Sequence, residues 1–437
     1  MAEQPQVVQE PSAVAQRMSN LPAPRLIPNP GIQRGRSRRT GRALAFSIGC
    51  CLFPFLAILM VFALPALLHL ADARPQKQRS VKQPFLVERP REIRANATYS
   101  QLQECFVNTP GESACNHGAS LVALSGGALL CSWYAASSEA APNAQILCSR
   151  LEKGAGSWTR PEVIIRPQTP VGGCWLGNKS VGDTVLFLDR DNCLWLFFAG
   201  VPFGGWTASH VDFVMSPDLG LHWSTVRRLV SGFSHSPRSK LIELSDGQVM
   251  MPLSAWPFRW EGYTVSLSLH RGEILAKSSR SIIPGPENSQ PSLLELNNGR
   301  VLAYLRNPRG GSLLFSKLDA DRQKWSAAKP LNLPSPDSPV DVIECQSGVL
   351  IVYTSNQKRR TSMSLAWAAD GEHFNKVCDL GDAADVSASY PTIVRSSDGD
   401  FHLIYTYGGR SLIKYVRLPR EWVRQRIAMT CLGRDNR

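Results

Sequence analysis

The hydrophobic positions along the chain recur as pairs of short apolar runs separated by a tight turn. Residues 290–307 show this most clearly, because apolar runs at 292–296 and 301–305 flank an Asn298-Gly299 dipeptide. Such runs around such a dipeptide predict two antiparallel strands joined as a β-hairpin. The pattern recurs in five further segments, which begin at His117, Val181, Pro237, Pro339 and Tyr390. The chain therefore predicts six hairpins.

The spacing of these hairpins predicts the fold. Their turns lie about 50–65 residues apart, at Gly127, Asn192, Gly247, Gly299, Gly348 and Gly399. Repeats of that period with several short strands each are typical of a β-propeller with one repeat per blade. We expect an all-β, six-bladed β-propeller over residues 97–418.

A second recurring pattern lies between the hairpins. Residues 216–223 read Ser-Pro-Asp-Leu-Gly-Leu-His-Trp, and looser versions end at Trp158, Trp325 and Phe374. The Asp side chain can accept hydrogen bonds from backbone N–H groups of its own turn, and the Trp offers a large surface for packing. The pattern predicts a structural turn between the outer strands of a blade.

The N-terminal part of the chain has a different composition. Residues 1–42 hold seven arginines against two glutamates, and residues 43–68 form an uncharged apolar run long enough to cross a bilayer as a helix. Arginines on the N-terminal side favour a cytoplasmic N-terminus. A cleaved signal peptide is the alternative, although its apolar core is usually only about 7–15 residues long.

We therefore expect a single-pass membrane protein. Residues 1–42 would be a disordered basic cytoplasmic tail, 43–71 a transmembrane signal-anchor helix and 72–96 a polar stalk. The propeller would lie in the periplasm or outside the cell, and residues 419–437 would form a C-terminal tail or short basic helix. No nucleic-acid-binding module accompanies the basic tail, so no nucleic-acid partner is expected.

Nine of the 11 cysteines lie beyond residue 96, and none forms a CxxC pair. The sequence thus predicts no zinc site. An oxidising compartment would permit disulfides, with local pairings Cys105–Cys115, Cys131–Cys148, Cys174–Cys193 and Cys345–Cys378. The alternative is that several of these cysteines are small buried hydrophobic residues.

The repeats also predict where polar side chains meet. The innermost strands of a propeller line one central channel, so equivalent repeat positions converge on its mouth. Counting nine residues back from the hairpin turns reaches Asp183, Arg238, Gln290 and Tyr390, and counting seven back reaches Lys240 and Asp341. Positions two apart along a strand share a face. The set predicts a polar pocket, with solvated loop residues as the alternative for each member.

The hairpins, the turn at residues 216–223 and the segments QPSLLELNNGRVLAYLR and SYPTIV resemble those of the sialidase (neuraminidase) superfamily. The chain is most similar to bacterial BNR-repeat proteins of the predicted neuraminidase type, over roughly residues 100–418. The resemblance implies an exo-glycosidase that hydrolyses a terminal acidic sugar, such as sialic acid, from glycans. It implies no metal or organic cofactor.

The resemblance also implies roles for particular residues. Sialidases hold the substrate carboxylate between three arginines, because the guanidinium fork matches a carboxylate and keeps its charge. Arg306 matches the second of these and Arg360 the third, with Arg359 as the substitute. Tyr390 matches the tyrosine nucleophile of these enzymes. Glu139 is the carboxyl nearest to the place of the acid/base.

Two positions depart from the family pattern. His117 stands where the first clamp arginine belongs, and Gln290 stands where a glutamate activates the nucleophile. Asp341 or Asp183 could take over that activation, and His117 could be a general base, an anion contact or a packed side chain. Two alternatives therefore stay open, a uronic-acid polysaccharide lyase that uses His117 and Tyr390, and a non-catalytic glycan-binding propeller.

Overall fold

The computed structural model describes residues 102–169, 177–256, 258–381 and 385–432. These residues form 26 β-strands, a 3-10 turn (Trp206–Ala208) and an α-helix, α1 (Arg420–Leu432). The strands are arranged in six antiparallel sheets, and each sheet is one blade. The predicted all-β, six-bladed propeller is confirmed.

The blades follow one another along the chain. Blade one holds β2 (Cys115–Ala123), β3 (Leu129–Ala136), β4 (Gln145–Leu151) and β5 (Glu162–Ile165). Blade two holds β6 (Ser180–Leu188), β7 (Leu194–Val201), β8 (His210–Ser216) and β9 (Arg227–Val230). Blade three holds β10 (His235–Pro237), β11 (Ile242–Glu243), β12 (Val249–Ala255), β13 (Glu261–His270), β14 (Glu273–Lys277) and β15 (Ser281–Ile282).

The remaining blades repeat this order. Blade four holds β16 (Ser289–Glu295), β17 (Val301–Arg306), β18 (Gly311–Lys317) and β19 (Lys329–Ser335). Blade five holds β20 (Asp341–Cys345), β21 (Gly348–Thr354), β22 (Met363–Ala368) and β23 (Asn375–Asp379). Blade six holds β24 (Ala388–Arg395), β25 (Phe401–Tyr407), β26 (Leu412–Leu418) and, from the other end of the domain, β1 (Gln103–Phe106).

The first strand thus closes the ring. β1 pairs antiparallel with β26, from Gln103 opposite Arg417 to Phe106 opposite Lys414. The helix α1 follows β26 and buries Trp422, Val423 and Ile427 against the hydrophobic cluster shared by blades five and six. The expected C-terminal segment is therefore a helix over Arg420–Leu432 that packs on the propeller.

The hydrophobic core lies between the blades. Six clusters of buried side chains occur in the described residues, and each joins two neighbouring blades. Trp195 and Phe197 of β7, for example, are fully buried against blade three. Alternation of side chains along each strand presents one face to each neighbour, which is why the strands read as apolar on both faces.

Four innermost strands contain a bulge at the same repeat position. The strand register jumps from His117 to Ser120, from Gly182 to Val185, from Ser289 to Ser292 and from Ser389 to Thr392. The first residue inside each jump has a left-handed φ, namely Gly118 (+63°), Asp183 (+40°), Gln290 (+48°) and Tyr390 (+61°). That conformation is uncommon for residues other than glycine. Bulges re-aim side chains, so these four positions share one altered direction at the channel mouth.

The turn at residues 216–223 has the structural role that its pattern predicts. The Ser216 hydroxyl accepts a hydrogen bond from the Gly220 N–H (2.7 Å), and Asp218 Oδ1 accepts one from the His222 N–H (2.8 Å). Trp223 packs against the cluster between blades one and two. The motif therefore fixes the connection from β8 to β9.

The expected disulfides are wrong wherever both cysteines lie in the described residues. Cys105, Cys115, Cys131, Cys148, Cys345 and Cys378 are free thiols, and so is Cys193, whose expected partner Cys174 lies outside the described residues. Cys131 is opposite Ser149 in the sheet, so the adjacent Cys148 points to the other face. Cys345 and Cys378 are separated by two strands of blade five. Most of these thiols are buried, which matches the alternative interpretation as small hydrophobic side chains.

The expected basic tail (1–42), signal anchor (43–71) and stalk (72–96) all precede residue 102 and lie outside the described residues. Within the part of the chain that the structure describes, no helix has the length and apolar character needed to cross a membrane.

Candidate active site

The antiparallel order of each blade brings a particular set of residues to one end of the channel. The start of the first strand, the end of the second strand and the loop that follows it all lie at the same end. Tyr390 comes from the start of β24, Arg306 from the end of β17, and Arg360 from the β21–β22 loop. We call this end the mouth.

Tyr390 and Arg306 form the centre of the mouth. Nη1 of Arg306 donates hydrogen bonds to the Tyr390 hydroxyl (3.1 Å) and to Oε1 of Gln290 (2.9 Å). All three side chains are less than 10% exposed. The Arg306 guanidinium also lies 5.7 Å from the ring of Trp260. Gln290 therefore orients Arg306 at the place where the family pattern has an activating carboxylate.

A carboxylate links Arg306 to Arg360. Oδ1 of Asp337 accepts a hydrogen bond from Nε of Arg306 (2.6 Å), and its Oδ2 accepts one from Nη2 of Arg360 (3.1 Å). The Arg360 guanidinium lies 5.7 Å from the ring of Tyr390. Arg359 instead pairs with Asp385 (3.1 Å) and is largely exposed. The structure thus brings Arg360, and not Arg359, to the nucleophile candidate.

His117 packs directly on Tyr390. The two ring centroids are 4.1 Å apart, and Nδ1 of His117 is 2.8 Å from the Thr406 hydroxyl. Burial, and then the charges of Arg410, Arg238, Arg360 and Arg306, hold the pKa of His117 well below its usual range. The imidazole is therefore neutral at physiological pH.

Two polar atoms beside Tyr390 are buried without a partner among the described residues. They are Nε2 of His117 and the hydroxyl oxygen of Tyr134, whose rings meet edge to face at 5.9 Å. Buried polar groups are normally paired, so unpaired ones call for an explanation. Their position at the mouth suits contacts to a ligand.

Asp183 is a half-buried carboxyl at the bulge of blade two. The Ser236 hydroxyl donates a hydrogen bond to its Oδ2 (2.9 Å). Burial raises the pKa of Asp183 above its ordinary value, against the opposing charge of Arg238 and the Ser236 hydrogen bond. A Cβ added at Gly118 would lie 2.9 Å from Oδ1 of Asp183. Asp183 therefore lies against the bulge that follows His117.

Two cationic side chains of blade three cross the channel beneath the mouth. Nη1 and Nη2 of Arg238 donate to the carbonyls of Ala119 in blade one (3.3 Å) and Pro391 in blade six (3.0 Å). Its Cζ lies 5.1 Å from the Tyr390 ring. Lys240 donates to the carbonyl of Val342 in blade five (3.1 Å) and pairs with Asp341 (2.7 Å).

These contacts change two expectations from the sequence. Arg238 was expected to bind substrate, but its Nη groups are used by backbone carbonyls, so it braces the channel. Asp341 was a candidate activator of Tyr390, but its oxygens accept from Ser292 (2.7 Å), the Ile393 N–H (2.8 Å) and Lys240. Because both of its oxygens accept hydrogen bonds in this way, Asp341 joins Arg238 and Lys240 in holding the blades together beneath the mouth.

Glu139 lies at the rim in the β3–β4 loop. It forms an ion pair with Arg410 of the β25–β26 turn and accepts a hydrogen bond from Nε1 of Trp206 (3.2 Å). Its side chain is 44% exposed. The expected acid/base is therefore more exposed than Asp183 and is paired with a guanidinium.

Sequence reasoning missed Asp337, Arg410, Tyr134 and Trp260. Asp337 lies in the loop between β19 and β20 with a left-handed φ of +55°. Arg410 lies in a turn that begins Gly-Gly-Arg. Only the order of the strands could have indicated these residues, because each of them lies at the end of its blade that faces the mouth.

The described residues contain no cluster of three or more His, Cys, Asp or Glu side chains arranged to hold a metal ion. A cleft of about 500 Å³ lies between blades three and four, lined by Met250, Arg280 and Trp325 among others. None of the mouth residues lines it. The cluster around Tyr390, which holds the buried titratable groups, is the better candidate for chemistry.

Comparisons with known proteins agree with this fold. Among solved structures, a protein of unknown function from Dyadobacter fermentans is 16% identical, with a TM-score of 0.59, over 76% of this chain and 98% of its own. The Hadza microbial sialidase Hz136 is 14% identical, with a TM-score of 0.57, over 73% of this chain and 68% of its own. The intramolecular trans-sialidase from Ruminococcus gnavus is 12% identical, with a TM-score of 0.56, over 71% of this chain and 96% of its own.

Identities this low establish the fold alone. A search of curated proteins gave no match. The model of the BNR repeat-like domain matches residues 127–403, which is more than half of the chain. The chain therefore belongs to the BNR repeat-like domain family.

Proposed function

We propose that this protein is a sialidase-like exo-glycosidase that hydrolyses a terminal acidic sugar from glycans. The observation that carries the proposal is the contact of the Tyr390 hydroxyl with Arg306 (3.1 Å), with Arg360 beside the same ring. Guanidinium groups suit a sugar carboxylate because their fork can bind both of its oxygens. A phenol suits an anomeric carbon that bears a carboxylate, since an anionic nucleophile would be repelled.

The proton transfers follow from the neighbours of Tyr390. Its oxygen attacks the anomeric carbon as the bond to the leaving oxygen breaks. Asp183, whose raised pKa favours the protonated form, gives its proton to the leaving oxygen. Neutral His117 takes the phenolic proton, because Gln290 cannot accept one and Asp341 is held by Lys240. Water then attacks the glycosyl-tyrosine, Asp183 takes the proton from water, and His117 returns its proton to the phenolate.

Glu139, the acid/base expected from the sequence, fits this role less well. It is paired with Arg410 at the exposed rim, whereas Asp183 is half-buried and lies against the bulge next to His117. We therefore assign proton donation to Asp183 and a supporting role to Glu139.

One observation favours a second candidate function. His117 packs on Tyr390, and an amide replaces the activating carboxylate. In a lyase for uronic-acid polysaccharides, the two arginines would neutralise the uronate, and His117 and Tyr390 would act as base and acid. The product would be an unsaturated uronate that absorbs in the near ultraviolet.

The test uses the full-length protein solubilised from membranes in mild detergent, with a fluorogenic α-sialoside and a panel of acidic oligosaccharides. Tyr390→Phe and Arg306→Ala are expected to lower turnover by about 100-fold or more, because each removes a group that acts on the reacting sugar. Arg309→Ala is the control, since Arg309 is a rim arginine that is 78% exposed.

The other possible outcomes of this assay would each assign a different function to the protein. An unsaturated product would establish the lyase. Binding without turnover, unchanged in Tyr390→Phe, would establish a glycan-binding propeller. The same preparation tests the proposed anchor at residues 43–71, which the apolar run and its flanking arginines support. Recovery of the full chain in the soluble fraction would exclude that anchor.

A further inference from the structure

We propose that Arg410 supplies the third guanidinium of the carboxylate site, in place of the arginine that His117 replaces. The proposal rests on the function proposed above, because it assumes a ligand with a carboxylate. It adds a binding residue from a different blade and a different kind of element, the β25–β26 turn of blade six.

The position of Arg410 repeats that of Arg360. The carbonyl of Arg360 accepts a hydrogen bond from the N–H of Ala388 (2.8 Å), two residues before the bulge residue Tyr390. The carbonyl of Arg410 accepts one from the N–H of Asn116 (2.6 Å), two residues before the bulge residue Gly118. Each arginine therefore lies in a loop after the second strand of its blade and is fixed to the start of the next blade.

This equivalence places Arg410 beside His117. Arg360 of blade five reaches Tyr390 of blade six, and by the same geometry Arg410 of blade six lies against the start of β2 in blade one, whose bulge residue Gly118 follows His117. The charge of Arg410 is the first after burial among the influences on His117, and it also acts on Tyr390. Arg410 of blade six therefore lies next to His117, the position in blade one at which the family pattern has an arginine.

Donors remain on these arginines for a ligand. Nη1 of Arg410 contacts Glu139, and the Arg410 guanidinium also interacts with the thiol of Cys115. Arg306 uses Nε and Nη1, and Arg360 uses Nη2. Within the described part of the chain, Nη2 of Arg306 and both Nε and Nη1 of Arg360 donate to no other group. Three incompletely paired guanidinium groups around one phenol match the several acceptor sites of a single carboxylate.

The balance of charge at the mouth points to the same ligand. Arg306, Arg360 and Arg410 meet there, and the acidic side chains that touch them are Asp337 and Glu139. Arg238 adds a fourth positive charge beneath Tyr390. Like charges at this distance repel, so an anionic ligand is favoured at the mouth.

The experiment measures binding by titration calorimetry with full-length protein in detergent. The probes are N-acetylneuraminic acid and its methyl ester, which lacks the anionic carboxylate. Arg410→Ala is expected to weaken binding of the acid by about 10-fold to 100-fold and to leave binding of the ester unchanged. Arg410→Lys keeps the charge without the fork and should lose less. Arg309→Ala, which removes an exposed arginine paired with Glu287 in the equivalent turn of blade four, should change neither.

Two results would overturn the role of Arg410 without affecting the proposed function. Arg410→Ala could lose equal affinity for the acid and the ester, or it could lose no affinity for either. Melting curves of Arg410→Ala and Arg410→Lys would show whether an equal loss comes from unfolding, and the folded lysine variant then decides. If the unmodified protein binds neither this acid nor any other acidic sugar of the panel, both the proposed function and the role of Arg410 are overturned.

Discussion

At the scale of single residues, the mouth combines several buried groups whose protonation is set by their surroundings. His117 is held neutral by burial and by four nearby arginines. Asp183 is shifted toward its protonated form by burial, although Arg238 opposes the shift. A neutral imidazole and a carboxyl whose pKa is raised lie on either side of Gly118, which is the pairing of a proton acceptor with a proton donor that general acid–base catalysis uses.

The raised pKa of Asp183 predicts a pH dependence of stability. In the unfolded chain this pKa is ordinary, near 3.8. The stabilisation from the protonated group is complete below that value and is lost as pH rises through the folded pKa. Asp183→Asn should therefore gain in free energy of unfolding relative to the unmodified protein as pH rises. Between the two pKa values the gain should be about 1.4 kcal/mol per pH unit.

Urea denaturation between pH 4 and pH 8 measures this difference. Asp218→Asn is the control of opposite sign, because hydrogen bonds from His222 and Ser216 lower the pKa of Asp218. That variant should be the less stable one throughout this range, because the stabilisation by ionised Asp218 is lost only below its unfolded pKa of 3.8. Parallel pH profiles for Asp183→Asn and the unmodified protein would contradict the assignment of Asp183.

At the scale of elements, the bulges determine the geometry of the mouth. Gly118, Asp183, Gln290 and Tyr390 occupy one repeat position in four blades, each with a left-handed φ. Three of the four are not glycine, and a left-handed residue with a side chain costs of order 1–3 kcal/mol. The repeated strain lies at the positions that place Tyr390, Gln290 and Asp183 around the channel.

Gly118 allows a test of the bulge. Gly118→Ala should destabilise the protein by more than the roughly 1–2 kcal/mol expected for a left-handed alanine, because the added Cβ would meet Oδ1 of Asp183 at 2.9 Å. Gly299→Ala is the matched control, since Gly299 has a φ of +78° and nothing within 4 Å of an added Cβ. Denaturation midpoints give both costs. Equal costs would mean that the contact with Asp183 contributes nothing.

Most of the strands and hairpins were predictable from the sequence, because residues close together in the chain determine them. Hairpin turns are encoded by neighbouring residues, so all six hairpins and their blade order could be predicted. Counting nine residues back from four of the six turns reached the bulge residues, because the repeat preserves strand length in those blades. The left-handed φ at Gln290 and Tyr390 could not be predicted, since the surrounding blades impose it against local preference.

Contacts between blades were beyond the reach of the sequence. Asp337 joins arginines from blades four and five, and Arg238 extends from blade three to blades one and six. Such contacts depend on how the blades are arranged around the axis. The same limit explains the wrong disulfides, because proximity in sequence did not reveal that Cys131 and Cys148 face opposite sides of one sheet.

At the scale of the whole molecule, the six blades depend on one closure. β1 supplies the outer strand of blade six, and its partner β26 is the last strand before α1. The cluster between blades six and one contains buried residues of both ends of the domain, including Val107 and Tyr415. Loss of the β1–β26 pairing should therefore weaken the ring more than loss of another outer strand of similar length.

Cys105→Pro tests this closure in the full chain, because proline cannot donate a backbone hydrogen bond and is tolerated poorly within a sheet. We expect a loss of about 1–3 kcal/mol in the free energy of unfolding, because a carbonyl of β26 loses its donor, and faster unfolding. Cys105→Ala is the control, which changes the side chain and keeps the backbone donor. A proline variant as stable as the alanine variant would show that the closure contributes little.

The same strand has a consequence for assembly between molecules. β1 is four residues long and lies at the outer edge of its sheet, so the edge of β26 that it covers can accept this segment from another source. A synthetic peptide of residues 102–109 should then restore the stability of the Cys105→Pro variant. Two intact chains at high concentration could likewise donate β1 to each other, which would give a strand-exchanged dimer that keeps both mouths complete.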